Sequence, residues 1–504
     1  MKNYTVSKLT ILVVLLTISY SATASGGVIV VNGGREQPQE EAVLFAFDNH
    51  SIPLIYGLEL GLVTGRKHAD NPVLRLGKPG EVDAKAVAYY GTVLKIGDQL
   101  RMWYIGSHEV YATEAGGWPG WGMGQICYAV SKDGIHWEKP ALGLVEFGGS
   151  KQNNLVDLDI DRIVASTVLY EADDPDPNQR FKMIFESHRY GQQMAVAYSA
   201  DGLTWKQSPN NPVGPILEMT GLVRLNGAYY VNGQGTAHSK RTLVTHISYD
   251  FEHWTESAVL GFRRDNIAPR SPVFFPRAGE QVHLGATLWD RGNVLVGFYG
   301  QWHGALNNDR RYISMDLGLV LTQDGLHFRE PIPDFRIISA AEESDGVHPS
   351  LIQGQGFENI GDQTLVWYGA WRDGEIRLAT WERDRLGYFE PVRRPRNNAG
   401  SEAPHFITCP LKLQGAAAKI YINADGLSAT SYLKLELLDE QLRSVPGYSR
   451  EESALVKKSG LRQPIRWRGK QNLKKFDHPI RIRVSYVGLR PEDARVYAVY
   501  LTEK

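Results

Sequence analysis

The stretch Ile126-Cys127-Tyr128-Ala129-Val130-Ser131-Lys132-Asp133-Gly134-Ile135-His136-Trp137 decides how this chain is read. Its first half alternates as a half-buried strand does; it then meets an Asp-Gly turn closed by Trp137. The pattern recurs. Residues 194–199 lead to Asp201-Gly202 and Trp205, residues 243–248 to Asp250 and Trp254, and residues 317–322 to Asp324-Gly325 and Phe328. A degraded copy, residues 376–381, leads to Asp384 and Tyr388. Gly tolerates positive φ and the Asp side chain accepts from the following backbone N–H, so these turns are read as scaffold rather than chemistry.

Two more strands are expected before each copy: 90–96 and 100–105, 163–170 and 180–186, 221–225 and 228–232, 283–288 and 294–299, 348–353 and 364–370. The residues after each aromatic supply a fourth. Small antiparallel units recurring at intervals of about 50 to 75 residues are the mark of a β-propeller. Five copies predict a five-bladed β-propeller over residues 51–395. Beyond residue 403 the cassette is missing, and alternating runs at 418–422, 433–438, 465–467, 480–487 and 495–501 predict a C-terminal β-sandwich over residues 396–504. The expected fold class is all-β.

Lys2 and Lys8 precede an apolar run at 9–18, and Ala22-Thr23-Ala24 offers a small-x-small cleavage site. Residues 1–24 are therefore read as a signal peptide and 25–50 as a leader, which predicts an exported protein, periplasmic or extracellular. The apolar run is shorter than the roughly 20 residues of a membrane span, and no later run is longer, so no membrane span is expected. Lys plus Arg number 55 against 56 Asp plus Glu, which leaves no electrostatic case for nucleic acid. With two cysteines the chain is neither a disulfide scaffold nor a Cys-rich metal site. No phosphate-binding Gly loop, His-Glu-x-x-His or Gly-x-Ser-x-Gly phrase is present, so no metal and no cofactor is expected. The aromatics (12 Trp, 24 Tyr, 16 Phe) supply flat surfaces for sugar rings as well as strand packing. The oligomeric state is open.

A propeller sets the start of each inner strand around a central funnel, so acids there share one cavity. Glu81 and Asp83 fall at that position in the first unit, Asp159 and Asp161 in the second, Glu218 in the third, and Glu342, Glu343, Asp345 and His348 in the fifth. The fourth contributes Arg264, Asp265 and Arg270 upstream of its first strand, and Trp302-His303 after its second. Each has a plain alternative: a turn residue for Asp83 and Asp161, a surface Glu for Glu218, a solvated acidic loop for Asp345 and His348, a packed strand end for Trp302 and His303.

Glu218 opens the phrase Glu218-Met219-Thr220-Gly221-Leu222-Val223-Arg224-Leu225-Asn226-Gly227-Ala228-Tyr229-Tyr230-Val231. This resembles the phrase Glu-x-Pro, later Gly-x-Tyr-Tyr, with which five-bladed glycoside hydrolases of families 43 and 32 begin their third blade. The resemblance implies Glu218 as general acid, Asp83 as nucleophile or base, and Asp161 as the acid that orients the pair or stabilises the transition state. Family 32 also follows its propeller with a β-sandwich. Its phrases Trp-x-Asn-Asp-Pro-x-Gly and Arg-Asp-Pro are absent here, and the chain is more similar to family-32-like exported bacterial proteins. The implied activity is an exo-acting glycoside hydrolase on a carbohydrate substrate, with Asp345, His348, Arg270, Trp302 and His303 binding sugar. Such hydrolysis needs a protonated carboxylic acid and a carboxylate on opposite sides of the scissile bond. A non-catalytic glycan-binding propeller and a glycoside phosphorylase, with Arg264, Arg270 and His303 around phosphate, are the alternatives.

Overall fold

The cassette folds as a hydrogen-bonded turn that locks neighbouring sheets together. Asp133 Oδ1 accepts from the backbone of Ile135 and His136 at 2.9 Å each, and Ser131 Oγ accepts from Gly134 N at 2.8 Å. The same bonds recur at Asp201, Asp250 and Asp324. The Gly134 carbonyl then accepts from two indoles, Trp137 within its own unit at 3.0 Å and Trp367 of another at 2.8 Å. Gly202 O does likewise for Trp205 and Trp103, at 3.0 and 2.7 Å. Gly134 has φ of 78°, and a Cβ built there lies 2.5 Å from Trp367 Cζ2. Gly134→Ala is therefore expected to destabilise the protein by about 2 kcal/mol or more through strain and overpacking, read as a lowered urea midpoint.

The computed structural model describes residues 27–108, 124–237, 240–264, 267, 279–304, 313–341, 350–370, 374–393, 402–415 and 417–503. Among them there is no α-helix, and no helix long and apolar enough to cross a membrane. The first unit holds Ala86–Ile96, Gln99–Ser107 and Gln125–Ser131; the second Ile163–Tyr170, Phe181–Ser187, Met194–Ser199 and Lys206–Gln207. The third holds Met219–Leu225, Ala228–Ala237, Lys240–Ser248 and Val259–Phe262; the fourth Gly279–Ala286, Leu295–Gly304, Ser314–Thr322 and Arg336–Ile338. Leu351–Ile360, Gln363–Ala370 and Glu375–Glu382 form the fifth, whose outer strand is Arg66–Lys67, from before the first unit. Borrowing that strand joins the two ends of the β-propeller.

The inner strands adjoin in chain order. Thr92 Oγ1 accepts from Val168 N at 2.9 Å, Thr167 Oγ1 donates to Thr220 O at 3.3 Å, and Asn232 Nδ2 donates to Ala286 O at 2.9 Å. Gln353 Nε2 donates to His283 O and Gly285 O, and Gln355 pairs in parallel with Thr92 to close the ring. The Gln355 side chain crosses to the third unit, accepting from Leu222 N at 2.7 Å and donating to Leu222 O at 2.9 Å. Polar side chains thus line the middle and bond to the backbone of the neighbouring unit, stitching adjacent inner strands together.

The ends of the chain differ from the expected boundaries of 25–50, 51–395 and 396–504. Val28–Val30 pairs with Leu411–Leu413, Glu41–Phe45 with Arg495–Glu503, Leu54–Tyr56 with His405–Ile407, and Leu58–Leu62 with Gly387–Pro391. Residues 28–62 and 387–391 therefore belong to the sheets of the C-terminal region. The apolar run of Glu41–Phe45, buried from Ala42 onward, needs a sheet to cover it, and the C-terminal sheet provides one. Two sheets there share one core, with Ile420, Ile422 and Val499 facing Leu433, Leu435 and Val484. Cys127 and Cys409 are both buried and unpaired.

Candidate active site

In an antiparallel sheet the start of the inner strand lies beside the end of the second strand and the start of the third. The register makes this concrete: Ile163 pairs with Ser187, Met219 with Gly233, and Gly279 with Gly304. Glu186, Glu218, Arg241, Glu280 and His303 all lie at this one end of their sheets, opposite the Asp turns.

Glu186 pairs with Ala165 on the second inner strand. Two residues further along that strand Thr167 reaches Thr220, so Ala165 lies level with Glu218 on the third. The two carboxyls therefore come from adjacent inner edges. Glu186 is 2% exposed and its Oε2 has no protein partner. Burial, then the negative charge of Glu218, push its carboxyl up to about 9, against a smaller opposing effect of Gln192. Glu186 is thus protonated at neutral pH.

Arg241 stands on the other side of Glu218. Its guanidinium lies 4.1 Å over the Trp302 ring, and Nη1 donates to Gln234 Oε1 at 2.8 Å. Gln234 N in turn donates to Glu218 O at 3.0 Å. His283 stacks on Trp302 at 5.5 Å, and Tyr90 of the first unit lies 6.3 Å from His283. One wall thus runs from Glu186 across Glu218, Arg241 and Trp302 to Tyr90.

On the opposite face of the Gly279–Gly304 hairpin, His303 Nδ1 lies 2.6 Å from Glu280 Oε1. Arg264 Nη2 donates to Glu280 Oε2 at 3.3 Å and pairs with Asp334, while its Nη1 donates to Tyr299 Oη at 3.0 Å. Tyr299 in turn donates to Glu330, whose own carboxyl burial raises. No group of metal-ligating side chains occurs among the described residues.

Several expected site residues lie elsewhere. Asp83 is 1% exposed, accepting from Tyr104 Oη at 2.7 Å and Lys139 Nζ at 2.6 Å, as a structural ion pair against the second and third strands of its sheet. Asp161 sits in a turn between Asp159 and Arg162, both at positive φ; its side chain is 61% exposed and 3.9 Å from Arg189. Asp83 and Asp161 thus have other partners, Tyr104 and Lys139 for the one and Arg189 for the other, and the carboxyl on which the charge of Glu218 acts is Glu186. Trp302 is fully buried beneath Arg241 and His283, so it is no open platform for a sugar. Arg264 is committed to Glu280, Asp334 and Tyr299, so it is no free phosphate ligand. His303 keeps 16% side-chain exposure at the mouth of the hairpin. Arg270, Asp345 and His348 lie outside the described residues.

No family model matches the chain, and no curated protein matches its sequence. In structure it is similar to glycoside hydrolases. One is a glycosyl hydrolase from Bacteroides ovatus, at 16% identity and a TM-score of 0.44 over 65% of this chain and 95% of that one. Another comes from work on the GH130 family of mannoside phosphorylases, which contains glycoside hydrolases targeting β-1,2 mannosidic linkages in Candida mannan; its values are 16%, 0.43, 67% and 97%. A third, the Bombyx mori GH32 β-fructofuranosidase, matches at 12% identity and a TM-score of 0.36 over 86% of this chain and 94% of its own.

Proposed function

We propose that the protein is a glycoside hydrolase in which Glu186 protonates the departing glycosidic oxygen and Glu218 is the carboxylate that attacks C1 or activates water. The observation that carries this reading is the pair itself: a buried carboxyl held neutral by burial and by the charge of Glu218, with that second carboxyl on the adjacent inner strand beside a cation. Two carboxyls whose surroundings drive their protonation apart are what acid-and-base chemistry requires. The proton leaves Glu186 for the leaving oxygen as the C1–O bond breaks; the second carboxylate, or the water it deprotonates, bonds to C1. A lectin needs no buried, neutral carboxyl beside a charged one, which favours the enzyme over the binding module. The commitment of Arg264 to carboxylates and Tyr299 weighs against the phosphate pocket a phosphorylase needs. Exo action on chain ends and export after cleavage behind Ala24 remain part of this reading.

A glycan panel tests it, with wild type and Glu218→Gln run side by side. Wild type is expected to release sugar from at least one member without added phosphate, and Glu218→Gln to fall by about 100-fold or more. Full activity in that variant sinks the assignment.

A further inference from the structure

Two carboxyls that share a pocket compete for one proton, and a fixed cation decides which of them keeps its charge. Arg241 is such a cation. It opens the strand Lys240–Ser248, its backbone N donates to Gln281 Oε1 at 3.0 Å, and its guanidinium is held between the Trp302 ring and Gln234 Oε1. Gln234 is bonded to the backbone of Glu218, so the cation and that carboxylate are fixed to the same hairpin. Glu218 is the carboxylate that favours the charge on Arg241 against its burial. Glu186 faces Glu218 and Gln192.

We propose that Arg241 is a positioning residue: clamped on Trp302 and Gln234, it fixes the division of labour by which Glu218 acts as the carboxylate and Glu186 as the proton donor. This rests on the reading of that pair as the working acids. Among the described residues, the other titratable groups packed against this pair have the following contacts. His283 lies against Trp302, and Tyr90 lies against His283. Glu280 and His303 are one residue out of register from Gln281 and Trp302, hence on the other face of the hairpin, and are tied to each other and to Arg264. A guanidinium keeps its charge when desolvated and stacks flat on an indole; an ammonium does neither as well, so Lys is no equivalent here.

The test is a carboxyl titration of the full chain, with glutamate labelled at the side-chain carbonyl, in wild type, Arg241→Gln and Arg241→Lys. Glu186→Gln and Glu218→Gln assign the two signals. In Arg241→Gln, Glu218 is expected to hold its proton to higher pH by about one unit or more. The acid limb of kcat/KM moves up with it, whereas a merely structural loss scales the whole profile down. Arg241→Lys is expected to shift the same limb by a smaller step, and serves alone should Arg241→Gln not fold. An unshifted Glu218 signal in both variants, or in Arg241→Lys when it stands alone, overturns the proposal. Because the titration needs no substrate, it gives its answer even if no glycan on the panel is cleaved, an outcome that would count against the hydrolase reading alone.

Discussion

Glu186→Gln is expected to lower kcat/KM on an unactivated glycoside by about 100- to 10,000-fold while raising the melting temperature at neutral pH. The two effects have one cause. Glu186 is buried beside Glu218 and holds its proton up to about 9. A free glutamate ionises near 4.3, so between those values the folded protein binds a proton that the unfolded chain releases. A carboxyl raised on folding costs stability as pH rises through that window, and the cost is fully present above about 9. Glutamine has the shape of the protonated acid and nothing to ionise, so it removes the cost together with the proton that catalysis uses. Thermal melts at pH 5 and pH 8 check this: the stabilisation should be larger at pH 8. Wild-type turnover should fall on the alkaline side as Glu186 loses its proton, with the limb belonging to the coupled pair rather than to either carboxyl alone.

Asp384→Ala is expected to cost about 3 to 5 kcal/mol of stability, the largest structural effect we anticipate from one substitution. Asp384 is fully buried, paired with the Arg291 guanidinium, and accepts from Asn359 Nδ2 at 3.0 Å and Tyr500 Oη at 2.9 Å. These partners come from the fourth unit, the fifth unit and the C-terminal sheet. Alanine leaves the Arg291 charge largely buried without its counter-ion, at 11% side-chain exposure. Burial alone would raise the Asp384 carboxyl, but Arg291, Asn359 and Tyr500 hold it below its ordinary value. The sign follows: this contribution is complete above the unfolded value near 4 and is lost as pH falls through the lower folded one. Urea midpoints should therefore separate wild type from Asp384→Ala strongly at pH 7 and converge in acid. A double change to Arg291→Met and Asp384→Leu should recover part of the loss, because it removes the orphaned charge as well as the pair.

The scaffold was legible because its signal is local. Ser131, Asp133, Gly134 and Trp137 lie close enough in sequence to show the turn they make, and repetition of the turn located the strands. The fifth copy was legible only in outline: Asp384 has φ of 61° but is a buried charge knot rather than an exposed turn. The site was less legible. A sequence reading confined to the residues before each inner strand points to Glu218, as the general acid, and passes over Glu186, although the second strand of an antiparallel sheet ends at the same face. The signal was a carboxylate closing the apolar run Phe181-Lys182-Met183-Ile184-Phe185-Glu186. Arg241 carried no such mark, since only the register Thr236 to Arg241 brings it to the mouth of the ring. Asp83 has the right residue type, yet Tyr104 and Lys139 claim it, and neither partner is near it in sequence. Pairing of residues 28–62 with the C-terminal sheets is a contact across nearly the whole chain, which no periodicity reveals.

The most direct test of the central claim compares leaving groups in Glu186→Gln. A glycoside whose aglycone departs without protonation should be cleaved at close to the wild-type rate, while the same sugar in an unactivated linkage is cleaved at least about 100-fold more slowly than by wild type. Equal losses on both substrates, or wild-type rates on the unactivated linkage, would contradict Glu186 as the acid of a glycoside hydrolase.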